Sequence, residues 1–176
     1  MNCNQTLTNL VRDCKDKTNK GGLHTTIWVA ERDNVKVTVD DNTGEITDIT
    51  NSGNWYKYQF AKGAAVLTSE YTFDGETGDK QYCTNTLTIN FKKQSAAKRV
   101  SLVGLMNSET FVIVKDGNEL PTALGVEEYV SCTSGSATTG QARTDANQYV
   151  VALSDTTADF PLNIPESVFE ALNLED

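Results

Sequence analysis

Between Gln81 and Phe91 the side chains alternate with a period of two: Cys83, Leu87, Ile89 and Phe91 fall on one side, Thr84, Thr86, Thr88 and Asn90 on the other. Only an extended strand places residues i and i+2 on one side, so this segment belongs to a sheet with one buried face and one wet face. The wet side is an uncharged row dominated by hydroxyls, which suits a smooth polar wall. A chain built around such a strand is expected to be mainly β.

The flanking segments read the same way. Thr25 to Glu31, Val35 to Asp40 and Glu45 to Thr50 are strand candidates. Their spacers, Arg32-Asp33-Asn34 and Asp41-Asn42-Thr43-Gly44, carry turn chemistry, and a β-meander is the simplest connection. Trp55 to Ala61 and Ala65 to Phe73 follow, then the loop Asp74 to Asp79. Further strands are expected at Thr110 to Val114, Glu127 to Cys132 and Gln148 to Ser154, the last with Tyr149, Val151 and Leu153 on one face. From Thr133 to Ala146 nothing apolar is larger than Ala, which predicts a mobile hairpin loop.

Two helices interrupt the β pattern. At residues 95–107, Ala97, Val100 and Val103, together with Leu102, Leu105 and Met106, recur at helical spacing behind Ser95 as N-cap. Pro165 suits the first position of a short amphipathic helix that carries Val168, Phe169 and Leu172. An apolar helix on an acidic terminus has to dock, and these three residues are candidate inter-subunit contacts. The expected organisation is an N-terminal arm (1–22), a β-domain (23–155) and a C-terminal arm (156–176), within a length of 176 residues that suits one core.

Charge and composition narrow the function. The net charge is −9, and the basic residues form no stripe longer than pairs such as Lys92-Lys93 and Lys98-Arg99, which disfavours a protein that grips nucleic-acid phosphate. The N-terminus has no basic and apolar leader pattern, and no run approaches the about 20 apolar residues of a membrane span. A protein made and kept in the cytoplasm is therefore expected, with Cys3, Cys14, Cys83 and Cys132 as free thiols.

Catalytic and metal chemistry find little material. His24 is the only histidine, and its spacing from Cys3 and Cys14 fits no common zinc pattern. Asp40, Asn42 and Gly44 open like a calcium loop, but Glu45 stands where the sharp turn needs Gly and Asn51 where the bidentate Glu belongs. No nucleophile elbow, phosphate loop or dinucleotide fingerprint occurs. The expectation is no catalytic residue, no metal and no cofactor.

Two stretches together carry a resemblance. The first runs from Arg99 to Leu105, through Phe111-Val112-Ile113-Val114-Lys115-Asp116-Gly117-Asn118, to Leu124-Gly125. The second joins Thr133 to Gly140 with Asp145-Ala146-Asn147-Gln148-Tyr149-Val150-Val151-Ala152-Leu153. They resemble the helix, strand and hairpin of bacteriophage tail-tube proteins. Cys14 with Gly21-Gly22, and Gly44-Glu45-Ile46-Thr47, are similar to structural proteins of phages that infect Bacteroides-like bacteria. Gln148 departs from the pattern, since the family usually has Gly after the Asn, which implies less extreme backbone angles here.

The resemblance implies a β-sandwich or open barrel with one flanking helix, assembled into hexameric rings stacked as a tube in the virion tail. Its partners would be further copies of itself and other phage tail proteins, with DNA only in transit and no membrane. The hairpins around residues 65–91 and 127–154 would join edge to edge with neighbours. Thr84, Thr86, Thr88 and Asn90 are then candidates for the channel wall, with an ordinary outer surface as the alternative. Other functions stay open: a neck, tail-ring or capsid decoration protein, or a carbohydrate-binding module suggested by Trp28, Trp55, Tyr56 and Tyr58.

Overall fold

The computed structural model describes residues 9–10, 18–40 and 43–174. Ten strands and two α-helices occur among them: β1 (Leu23–Glu31), β2 (Val35–Val39), β3 (Ile46–Asn51), β4 (Tyr56–Gln59), β5 (Ala65–Phe73), β6 (Lys80–Lys92), α1 (Ala96–Met106), β7 (Thr110–Asp116), β8 (Pro121–Leu124), β9 (Ser131–Thr138), β10 (Gln148–Thr157) and α2 (Glu166–Ala171). They form two antiparallel four-stranded sheets, ordered β4-β1-β7-β8 and β5-β6-β10-β9, and a separate β2-β3 hairpin. The fold is a β-sandwich with helices at its flanks.

The two sheets face each other through one apolar core. Ile27, Val29, Val112, Val114 and Leu124 from the first sheet meet Leu87, Ile89, Phe91, Val151 and Leu153 from the second, and α1 closes the gap with Leu102 and Leu105. A second core lies on the far side of the first sheet. There Trp28, Ala30, Phe111 and Ile113 pack against Val35, Ile46 and Ile49 of the hairpin and Phe169 of α2. The first sheet is thus covered on both faces, which explains why β7 is an unbroken apolar run from Phe111 to Val114 rather than an alternation. The second sheet is covered on one face only.

Several expectations need correction. β1 does not continue into a meander: Arg32–Asn34 form a 3-10 turn that carries the chain off the sheet, so β1 pairs with β4 and β7 instead of β2. Arg32 fixes this exit by donating to the carbonyls of Val35, Val126 and Glu128. The stretch from Thr133 is no loop up to Thr138, because β9 runs through it, paired with β10 from Ser154 to Gln148. A Ser/Thr/Gly strand buries little of its own, and the ladder to β10 supplies its order. Gln148 sits regularly opposite Lys92 and Thr138 at the start of β10.

The helices match their expected positions with changes in detail. Ser95 caps α1 by accepting from the Lys98 N–H at 3.3 Å, but only Leu102 and Leu105 are buried, while Val100 and Val103 face solvent. Pro165 is the N-cap of α2 and not its first helical residue. Phe169 is 5% exposed in the second core, edge-on to Trp28 at 5.4 Å, and Val168 and Leu172 pack beside it. The residues expected at an inter-subunit contact therefore sit against this chain's own core. Cys3, Cys14 and most of the N-terminal arm lie outside the described residues.

Candidate assembly surface

The central strand β6 organises the exposed face of the second sheet. Its outward residues pair in register with both neighbours: Thr84 lies between Glu70 and Thr156, Thr86 between Thr68 and Ser154, and Thr88 between Val66 and Ala152. Asn90 lies opposite Val150, and β9 extends the same face with Ser134, Ser136 and Thr138. The four β6 residues singled out from the sequence are thus brought together, half-buried by their neighbours, in a carpet of hydroxyl and small side chains. Glu70 is charged, and at the Thr138 end the same face continues through Gln148 to Lys92. Ser154 donates to the Asn85 carbonyl at 2.8 Å and Thr68 to the Thr86 carbonyl at 3.4 Å, so part of the hydroxyl row is held by the backbone beneath it.

The two edges of this sheet differ from those of its partner sheet. In the partner, β4 and β8 have four residues each, and β8 begins at Pro121. The β8 edge is further closed by the C-terminal segment, through Ala123 N–H to the Leu162 carbonyl and Ile164 N–H to the Pro121 carbonyl. In the second sheet the edges are β5, with nine residues, and β9, with eight, and neither contains Pro, Lys or Arg. Native sheets usually blunt such edges with short strands, Pro, Lys or a covering element. Among the described residues neither edge has Pro, Lys or a backbone-paired covering segment; each has one register irregularity, near Thr72/Phe73 on β5 and opposite Ala152/Leu153 on β9, and β5 carries the single charge Glu70.

The register shows which backbone groups point outward. Asn90 N–H donates to the Ala64 carbonyl, so Ala64 and the alternate residues Val66, Thr68 and Glu70 turn their polar groups toward β6. Leu67, Ser69 and Tyr71 therefore present theirs to the open edge. Lys93 N–H donates to the Asn147 carbonyl, and by the same alternation Gly135 and Ala137 of β9 point outward.

A polar cluster that sequence reasoning missed lies beneath the carpet. Asn85 and Asp155 sit opposite each other on the inner face, 0% and 5% exposed. Asn85 donates to Thr157 Oγ1 at 2.9 Å, and Asp155 Oδ2 accepts the Gly125 N–H at 2.7 Å. Burial pushes the Asp155 carboxyl above the usual carboxylate range, opposed by the Gly125 N–H and the Asn85 amide. The signal was present in the sequence: both residues occupy apolar positions of a period-2 strand.

Elsewhere the titratable groups make ordinary surface pairs. His24 Nε2 meets Glu119 Oε1 at 2.7 Å, and Lys115 lies 3.1 Å from the other Glu119 oxygen. Asp40 holds its turn by accepting from the Thr43 N–H. No group of three or more metal-ligating side chains occurs among the described residues, and no described helix is long and apolar enough to cross a membrane. Trp28, one of the aromatics that suggested glycan binding, is buried and donates from Nε1 to the Leu174 carbonyl at 2.9 Å. Compared with known proteins, the chain matches no family model, and no curated protein matches it.

Proposed function

We propose that this protein is a non-enzymatic structural subunit of the phage tail-tube type, which assembles by joining the β5 edge of one copy to the β9 edge of the next. One observation carries the reading: both edges of the exposed sheet are long and free of Pro, Lys and any backbone-paired covering segment, while both edges of the covered sheet are short and one is sealed. Continuing the ladder from copy to copy satisfies the outward N–H and C=O groups, and closing it into a ring leaves no edge. A contact between two different edges is heterologous, and such contacts generate rings when the rotation closes. The outer carpet, on one side of that ring, supplies a nearly uncharged wall past which DNA can slide without being held.

Edge-specific proline variants test this reading. Ser69→Pro and Ala137→Pro each delete an outward N–H and leave the bonds to β6 and β10 in place. Wild type is expected to form rings by negative-stain microscopy and sedimentation, and each variant to remain a folded single subunit. Wild type that stays monomeric at high concentration, or rings that tolerate both prolines, would refute the edge-joining role.

A further inference from the structure

The exposed sheet carries opposite charge at its two ends. At one end is the β5-β6 tip, with Asp74, Glu76 and Asp79, and next to it Asp159. Lys80 at this end is spent on an ion pair with Asp159. The β9-β10 pair brings Glu127 to the same end, where its carboxylate accepts the Ala158 N–H. At the other end Lys92, Lys93, Lys98 and Arg99 gather around the end of β6 and the first turn of α1. No carboxylate occurs from residue 92 to residue 108, and in the nearby loop Arg143 offsets Asp145. In a chain of net charge −9 this basic end is an exception.

Each end also exposes apolar surface. Phe73 and Phe160 stand 58% and 55% exposed at the acidic end, both beside Tyr71. At the basic end Val100 is 68% exposed, and a groove of about 410 Å³ opens between α1 and β9, walled by Leu102, Val103, Met106, Ala137 and Tyr149 with Arg99 at its side. An acidic end with protruding aromatics and a basic end with an apolar groove are complementary. They lie at opposite ends of the same strands, so one cannot satisfy the other within a single copy.

We infer that the acidic β5-β6 tip of one copy docks on the basic α1 end of a second copy, so that rings stack head to tail along the strand direction. This rests on the ring reading above, because edge joining leaves the strand ends on the two open rims. The contact is heterologous and does not close on itself, so it propagates as a filament. Its charged part is exposed, so stacking weakens with added salt while the ladder within each ring persists.

Charge reversal with cross-rescue tests the contact. Glu76 and Asp79 are exposed and join the Asp74 turn through backbone groups alone, which a Lys keeps, and Lys92 and Arg99 are exposed, so none of the four side chains is needed for the fold. Lys92→Glu with Arg99→Glu, and separately Glu76→Lys with Asp79→Lys, are each expected to give rings that do not stack. Mixing the two kinds of ring makes every junction complementary in an alternating stack and is expected to restore tubes. Stacking that ignores both reversals, or a loss that mixing does not restore, overturns the head-to-tail contact while leaving rings intact. Wild type with no rings at all overturns the ring reading and this contact together.

Discussion

Asp155 on β10 and Gly125, just beyond β8, are joined across the sandwich by a 2.7 Å hydrogen bond from the Gly125 N–H to Oδ2. The other carboxyl oxygen has no partner and is buried. Burial disfavours the charged form and pushes the carboxyl above its ordinary range, against the pull of the Gly125 N–H and the Asn85 amide.

The first prediction concerns pH. The folded state holds the Asp155 proton more tightly than the unfolded chain does. This group's contribution is therefore most favourable below the ordinary Asp value and declines as pH rises to the raised folded value. Asp159, held low first by its hydrogen bond to Lys80, and Glu119, held low by Lys115 and then His24, act in the opposite direction and lose their contribution as pH falls. Subtracting the urea-unfolding stability of Asp155→Asn from that of wild type, from about pH 3 to about pH 8, isolates the first effect. A difference that falls with rising pH is expected. A flat or rising difference would count against a buried, reluctant acid.

Gly125 gives a second prediction. Its φ is +84°, and an added Cβ would lie 2.9 Å from the Thr110 carbonyl oxygen. Gly125→Ala combines left-handed backbone strain with a clash against backbone, and it displaces the N–H that serves Asp155. A loss of about 1–3 kcal/mol or more is expected by denaturant titration. An unchanged midpoint would mean that the turn adapts freely.

Phe169→Ala tests where α2 belongs. The ring is buried edge-on against Trp28, so its removal should cost the isolated subunit about 3–5 kcal/mol and shift the tryptophan emission to the red. Normal subunit stability with failed assembly would instead return this helix to an interface between copies.

The Thr carpet makes a prediction about DNA. Wild-type protein is expected to show no duplex affinity at physiological salt, whether as subunits or tubes. Thr86→Lys with Thr88→Lys places two cations on the wall of each subunit, and many copies around one channel should create salt-sensitive binding in tubes alone. Fluorescence anisotropy of a short duplex reads both. Tight wild-type binding sinks the conduit role, and equal binding by mutant subunits and mutant tubes places the carpet outside the channel.

How much of this was legible in the sequence depends on where each element gets its order. β6, β10 and α1 bury one face, so period-2 and helical spacing revealed them, β6 and α1 to within a residue at each end and β10 with its last three residues missed. β9 was only partly visible because its exposed Ser, Thr and Gly residues carry no alternation, and its order comes from β10. β8 was hidden for a related reason: four residues beginning with Pro121 make a strand only between β7 and the segment around Leu162 to Ile164. The charged ends are a matter of topology. Lys92-Lys93 and Lys98-Arg99 look like isolated pairs until the turn into α1 gathers them at one end of the sheet.

The bond from Trp28 to the Leu174 carbonyl spans 146 positions, and the second core that surrounds it closes only when α2 arrives. During synthesis the β2-β3 hairpin can cover part of the face that β1 and β7 turn to this core early, but the part beneath α2 stays open until nearly the whole described chain has emerged. A nascent subunit is therefore incomplete for most of its translation. The last contact of this core is thus also the one most distant in sequence, so its closure falls late in folding.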